Sequence, residues 1–261
     1  MIDYSFSMYE MEYYLLIFAR ITAFLFVAPF FRMNTVPRRF RVGLAVFTSY
    51  LIYEATFPHE VVEYNTVLGY AIIVLKETCA GLLMGMAVNI CNSIVNFAGR
   101  MIDMQVGLAM AQEYDPASRE SVSVSSVLYQ YLVLMILVLS GMHTYLIQAL
   151  AESFTLIPVN TAMFNTDALL TAMIGYMGNY INLGFQIALP VYCVMLIANC
   201  ILGIMSKVAP QMNMFAVGMQ IKLMMGFGVM LLTVGLLPNI SDMIFTELKR
   251  VLVSFVEAMM A

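Results

Sequence analysis

Long apolar stretches are the feature that most restricts how this chain can fold. Residues 168–205 contain no aspartate, glutamate, lysine or arginine, and further apolar stretches cover 11–31, 40–57, 67–98, 124–151 and 213–237. About 20 apolar residues let a helix cross the hydrocarbon layer of a membrane. With 62% hydrophobic and 11% charged residues, the chain is far more apolar than soluble domains are. The sequence therefore predicts an all-α membrane protein with several crossings.

Two of these stretches, 67–98 and 168–205, are too long for one simple crossing. Pro190 predicts a kink in the second, because proline cannot donate the helical hydrogen bond, and a division into two helices stays open.

An amphipathic helix is predicted near the end of the chain, at 241–260. Ser241 and Asp242 are residue types that cap helix starts. The helix is expected to pack on neighbouring helices or at the membrane interface, because apolar residues recur at helical spacing. The residues on this face are Ile244, Leu248, Val251, Leu252 and Phe255.

The distribution of arginine predicts a topology. Four arginines, at positions 32, 38, 39 and 41, lie in one short loop, which the positive-inside rule makes cytoplasmic. Alternation from this loop is consistent with six simple crossings. The first residues are acidic and lack a basic region, so no cleavable signal peptide is expected.

Charged residues also lie inside apolar stretches: Arg20, the neighbours Lys76 and Glu77, and Lys222. Each costs roughly 2.5–3.5 kcal/mol to insert into a bilayer. Pairing between helices or subunits is favoured over a proton or substrate path, because Glu77 is the one deeply placed carboxylate. Lys76 and Glu77 point about 100° apart on a helix, so different partners are predicted for them.

Gly81 and Gly85 form a small-xxx-small pair, which lets another backbone approach closely. The motif is common and implies a close helix crossing, without any chemistry.

The segment 99–126 is too polar to cross lipid and too apolar for a solvated loop. Backbone of this kind is tolerated at membrane depth when it is buried in protein or lines a cavity. Two interpretations follow from the residues: a re-entrant loop that closes a pore, or an amphipathic loop on the membrane surface.

No pattern of residues indicates an enzyme, a metal site or a cofactor. Nucleophile, zinc-protease and phosphate-loop motifs are missing from the sequence. The four cysteines at 79, 91, 193 and 200 form no C-x-x-C pair and are expected to be small buried hydrophobic residues. The 25 methionines are interpreted as residues that fill the hydrophobic core. The alternative is that they form an adaptable seal around a polypeptide that passes through the protein.

Several strings, in this order and spacing, resemble the flagellar biosynthetic protein FliR family, whose relatives serve virulence injectisomes. The longest of these strings contains APQMNMFAVG and continues without a gap to Lys222. The strings are PRRFRVGLA (37–45), KETCAGLLMG (76–85), GRMIDMQVGLAM with DP (99–116), SGMH (140–143), SFTLIP (153–158) and LGIMSKVAPQMNMFAVGMQIK (202–222).

The resemblance implies a subunit of a type III export gate. It implies kinked helices and helical hairpins within a helical hetero-oligomer: a FliP-like part over about 1–170 fused to a FliQ-like hairpin and tail over about 171–261. The partners implied are FliP-like, FliQ-like, FlhB-like and FlhA-like subunits, with unfolded flagellar proteins as cargo. The implied location is the bacterial inner membrane at the flagellar basal body, where simple six-span insertion is a poor description.

The resemblance also implies roles for residues of this chain. Residues 107–122 correspond to a loop that plugs the channel, with Met110 and Tyr114 as plug contacts. The remaining residues assigned to this loop are Gly107, Asp115, Pro116 and Val122. Subunit packing and assembly are assigned to Arg20, Arg41, Lys76, Glu77, Gly81, Gly85, Pro210, Gln211, Asn213 and Lys222.

Two alternatives to a flagellar export subunit remain. The first is the equivalent subunit of a virulence injectisome. The second, from another class, is a small-molecule secondary transporter, which is expected to show paired repeats that this sequence lacks.

Overall fold

The fold was analysed in a computed structural model. The structure describes residues 8–29, 37–56, 64, 66–111, 113–115, 120–211 and 213–260.

Eight α-helices make up most of the described chain. They are α1 (Met8–Val27), α2 (Arg38–Ala55), α3 (Val67–Val106), α4 (Val124–Leu139), α5 (Met142–Leu156), α6 (Thr166–Val208), α7 (Met214–Thr233) and α8 (Leu237–Glu257). Short 3-10 turns cover Leu108–Ala111 and Val234–Leu236. The prediction of an all-α fold is confirmed, apart from one short hairpin.

The hairpin lies between α3 and α4. Strand β1 (Glu113–Asp115) pairs antiparallel with strand β2 (Glu120–Val122), and Glu113 lies opposite Val122 in this register. Nothing in the sequence predicted these strands, because two runs of three residues are too short for a strand pattern to be recognised.

The structure decides how two of the predicted stretches divide into helices. The stretch predicted at 168–205 is one helix of 43 residues that contains Pro190, so the division into two helices does not occur. The stretch predicted at 124–151 is broken instead between α4 and α5. Gly141 adopts φ 78° there, a left-handed conformation that glycine tolerates and that ends a run of helical residues.

Three stretches of the described chain are long and apolar enough to cross a membrane: Val67–Val106, Thr166–Val208 and Phe215–Glu257. The number rises to four if the broken pair α4 and α5 counts as one span. The described helices therefore do not support the predicted six simple crossings. At 1.5 Å per residue, the 40 residues of α3 extend about 60 Å, roughly twice the hydrocarbon thickness.

The chain divides into two compact units. Unit 1 consists of Met1–Ile90, Gly141–Gly175 and Glu247–Ala261, and unit 2 consists of Cys91–Ser140 and Tyr176–Thr246. Both units are discontinuous in sequence. The predicted division near residue 170 into FliP-like and FliQ-like parts is a statement about ancestry and stays a prediction.

The apolar face predicted for the last helix is buried. Ile244, Leu248 and Phe255 are each 2% exposed, and the other two members of the face are buried too. The predicted cap is wrong, however, because α8 begins at Leu237 and Ser241 is a fully buried residue inside it. The start of α8 carries Pro238, a residue well suited to the first turn of a helix because it needs no hydrogen-bond acceptor there.

All four cysteines are free, but only Cys91 is buried. The prediction of buried cysteines is wrong for Cys79, Cys193 and Cys200, which are exposed. These three lie on long apolar helices, where an apolar residue type does not indicate burial within the chain itself.

Candidate functional site

The first candidate site is a buried ion pair in unit 1. The Nε atom of Arg20 on α1 lies 2.6 Å from the Oε2 atom of Glu77 on α3, and both side chains are 0% exposed. A buried charge is very costly unless it is paired and hydrogen-bonded. Glu77 therefore pairs with a residue of another helix and not with its neighbour Lys76, whose own partner stays a prediction.

Arg20 also donates hydrogen bonds to backbone carbonyl groups at the end of α5. Its Nη1 atom donates to the carbonyl oxygens of Ile157, at 2.9 Å, and Ser153, at 3.3 Å. These carbonyls belong to the last turn and the C-cap of the helix, where a positive charge is favoured. The guanidinium also lies 4.3 Å from the ring centroid of Phe154.

Glu77 in turn holds the loop that follows α5. Its Oε1 atom accepts a hydrogen bond from the backbone N–H of Asn160 at 2.9 Å. Asn160 has φ 73°, a left-handed conformation that asparagine tolerates better than most residues. The ion pair therefore links α1, α3, the end of α5 and the following loop within unit 1.

Just beyond this ion pair, α1 and α3 cross closely at Gly81 and Gly85. A Cβ atom on Gly81 would collide with the carbonyl oxygen of Arg20. One on Gly85 would lie 2.9 Å from the Cβ of Val27 and 3.0 Å from the carbonyl oxygen of Phe24. The close crossing indicated by the glycine pair is therefore present, and it lies between two helices of the same chain.

Three further residues assigned to assembly are Lys76, Lys222 and Arg41. Lys76 on α3 and Lys222 on α7 are both half-buried. The Cζ atom of Arg41 lies 6.0 Å from the ring centroid of Phe26, within unit 1.

The stretch 209–213 forms the connection between α6 and α7. Pro210 and Gln211 are exposed in this turn. Asn213 is the N-cap of α7, and its side chain accepts a hydrogen bond from the N–H of Ala216 at 3.4 Å. One of the amides therefore has a local helix-capping role.

The segment assigned as a plug lies between α3 and α4, in unit 2. Gly107 ends α3 with φ 93°, Met110 lies in the 3-10 turn, and Tyr114 and Asp115 lie in β1. Val122 is the last residue of β2. Pro116 lies outside the described residues.

Sequence reasoning missed the contact that joins the two ends of this segment. The carboxylate of Asp103 on α3 accepts the backbone N–H of Ser125 on α4, at 3.3 Å to each oxygen. Asp103 is 2% exposed and Ser125 is fully buried. An acidic residue in an otherwise apolar stretch, with serines at the next helix start, was the available signal.

Helix α7 packs against the same region of unit 2. The hydroxyls of Tyr129 and Thr233 are 2.7 Å apart, and Ser125 Oγ lies 3.6 Å from the sulfur of Met230. A Cβ on Gly226 would lie 2.6 Å from a methyl group of Val106. The end of α3 and the start of α4 are therefore fixed by packing on both sides of the segment.

Tyr64, which lies between α2 and α3 in the sequence, has a raised pKa. Tyr64 donates a hydrogen bond from its hydroxyl to the Oε1 atom of Glu12 at 2.7 Å. This hydrogen bond raises the pKa of Tyr64 above its usual value, and partial desolvation adds to the effect.

No group of three or more histidine, cysteine, aspartate or glutamate side chains that could hold a metal ion occurs within the part of the chain that the structure describes. That the chain needs no cofactor stays a prediction.

Comparison with known proteins identifies the family. A family model described as "Bacterial export proteins, family 1" matches residues 11–248. The chain belongs to this family. The match includes both the ion pair of unit 1 and the segment between α3 and α4, and it confirms the predicted resemblance to FliR proteins.

Curated relatives in this family carry the name flagellar biosynthetic protein FliR. The Aquifex aeolicus protein is 28% identical over 247 residues, covering 94% of this chain and 93% of its own length. The Bacillus subtilis protein is 27% identical, covering 82% and 83%. The Escherichia coli protein is 25% identical, covering 91% and 90%. These names refer to flagellar biosynthesis and not to a reaction, and that the chain is no enzyme stays a prediction.

Proposed function

We propose that this chain is a structural and gating subunit of the flagellar type III protein export gate. The observation that carries the proposal is the family match across residues 11–248, together with relatives that are named for flagellar biosynthesis over most of both chains. The long apolar helices support an integral membrane location. The proposed membrane is the bacterial inner membrane, at the flagellar basal body.

The proposed assembly joins this chain to FliP-like and FliQ-like subunits, with FlhB-like and FlhA-like subunits beside them. Support comes from large apolar side chains that the chain leaves exposed. Leu231 and Leu232 on α7 are 76% and 80% exposed, and Ile174 on α6 is 65% exposed. Large apolar side chains exposed to this extent are expected to be covered by lipid or by a protein partner.

The proposed gating element is the segment 107–122. Its two ends lie on helices that pack tightly in unit 2, and its middle contains the β1–β2 hairpin, held by only three paired positions. A short hairpin between fixed ends is a suitable closure for a channel, because opening it disrupts few hydrogen bonds. Unfolded flagellar proteins are the proposed cargo.

The first experiment tests the assembly. The full chain is tagged in a flagellated bacterium and purified in mild detergent, and the bound proteins are identified by mass spectrometry. FliP-like and FliQ-like subunits are expected at constant ratios to the chain. Recovery of the chain alone, with substrate counterflow after reconstitution, would support a small-molecule transporter and overturn the proposal.

The second experiment tests the gating element. Residues Gly107–Val122 are deleted or, as a matched control for chain connection, replaced by a glycine–serine linker of equal length. Both variants are expected to leak small ions across the membrane, with complex recovery close to that of the unaltered chain. An intact ion barrier in both variants would show that this segment does not close the channel.

A further inference from the structure

A buried hydrogen bond joins the two ends of the proposed gating element. Asp103 lies in the last turn of α3, four residues before Gly107, and Ser125 lies in the first turn of α4. The hydrogen bond between them therefore brackets residues 107–122. Both groups are buried, so water does not compete for the bond.

The carboxylate satisfies a donor that α4 cannot satisfy itself. The first N–H groups of a helix have no intrahelical acceptor. Ser123, the N-cap of α4, accepts the N–H of Ser126 with its hydroxyl at 3.2 Å. The N–H of Ser125 is left for Asp103, whose negative charge is also favoured at a helix N-terminus. The N–H is shared between the two carboxylate oxygens, at 3.3 Å to each.

A second contact between the same two helices does not involve Asp103. Gly99, one turn earlier on α3, leaves no room for a Cβ atom against the backbone of Ser126. The hydroxyl of Ser126 also donates to the carbonyl oxygen of Asn96 at 3.0 Å. Helices α3 and α4 therefore have a contact that can persist without the carboxylate, and the effect of changing Asp103 is concentrated at the end nearest the segment.

We propose that Asp103 is a positioning residue for channel closure: by binding the N–H of Ser125, it holds the start of α4 against the end of α3 and so keeps the two ends of the proposed gating element together while the channel is closed. This inference rests on the proposed function of that segment. Without the carboxylate, the N–H of Ser125 is buried and unsatisfied, which is costly and favours movement of the α4 start toward water.

The test compares Asp103→Ala and Asp103→Asn with Asp167→Ala, which alters an exposed aspartate in the first turn of α6. Each variant is studied in the full chain within its purified complex. Amide hydrogen exchange of residues 120–127 and ion leak across the membrane are measured. Asp103→Ala is expected to exchange at Ser125 at least about 10-fold faster, since about 1.4 kcal/mol corresponds to a factor of ten, and to leak several-fold more.

Asp103→Asn is expected to give an intermediate effect, because its amide oxygen still accepts the hydrogen bond but carries no charge. Asp167→Ala is expected to match the unaltered chain. Leak at the unaltered level in both Asp103 variants, while deletion of 107–122 leaks, would overturn the positioning role and leave the proposed function standing. Leak absent even from the deletion would overturn the proposed function itself. Loss of complex recovery in Asp103→Asn without any leak would show a purely structural role and overturn the inference.

Discussion

The side chains of Arg20 and Glu77 meet at 2.6 Å although they lie 57 residues apart, and neither is exposed. Around this pair the guanidinium binds carbonyls at the end of α5, and the carboxylate binds the N–H of Asn160. Two charges that are costly in an apolar chain therefore become the connection among four segments of unit 1. The consequences can be measured by changing either partner.

Glu77→Gln is expected to destabilise the chain by about 3–5 kcal/mol, because it leaves the buried Arg20 without a counter-charge. The free energy of unfolding is measured with denaturant in detergent micelles. Glu54→Gln, at an exposed position on α2, is the control and is expected to change stability by less than about 0.5 kcal/mol. The double variant Arg20→Met with Glu77→Leu is expected to be more stable than Glu77→Gln. Equal stability of the two would contradict the view that the unpaired charge is the main cost.

Gly81→Ala is expected to cost about 1–3 kcal/mol, because the added methyl group meets the backbone of Arg20 and forces α1 and α3 apart. Gly178→Ala is the matched control, since this residue lies within α6 with open space where the added Cβ atom would lie. That variant is expected to be neutral or to gain up to about 1 kcal/mol from the better helix propensity of alanine. The midpoints of thermal unfolding of the two variants are compared in the same detergent. Equal midpoints would exclude a tight crossing at Gly81.

Lys76→Gln and Lys222→Gln are each expected to reduce recovery of the complex with FliP-like and FliQ-like subunits. Both lysines are half-buried on helices that leave much apolar surface exposed, where an unpaired cation is unfavourable and a partner's acceptor stabilises it. Lys207→Gln, at an exposed position near the end of α6, is the control. Recovery is measured by co-purification at matched expression. Normal recovery with loss of secretion would indicate a transport role instead.

Tyr64 is expected to make stability depend on alkaline pH. Its pKa in the folded chain is raised, so the folded state retains the hydroxyl proton when the unfolded state has lost it. The contribution of Tyr64 is therefore complete below about pH 10, the ordinary tyrosine pKa, and is lost as pH rises through the folded pKa. Unfolding of the unaltered chain and of Tyr64→Phe is compared from pH 8 to pH 11. The unaltered chain is expected to lose more stability above pH 10; parallel curves would contradict the hydrogen bond to Glu12.

Apolar periodicity and the spacing of two glycines account for the packing features that could be predicted from the sequence. The buried face of α8 follows the 3.6-residue spacing from Ile244 to Phe255, and Gly81 with Gly85 marks a close crossing wherever a partner helix lies. The start of α8 was misplaced because serine and aspartate favour caps in general, whereas here Ser241 is buried inside a helix. Local preference was overridden by packing.

What the sequence by itself determined is the class of the protein: long helices with too little charge for a soluble fold, and strings shared with a bacterial export family. Only the tertiary structure decided which charges pair. Arg20 could have faced Glu77 or a partner subunit, and Asp103 could have faced water. Pairing over such sequence separations depends on how helices pack, and no local pattern encodes that. The buried bonds from Arg20 to Glu77 and from Ser125 to Asp103 thus became visible only in three dimensions.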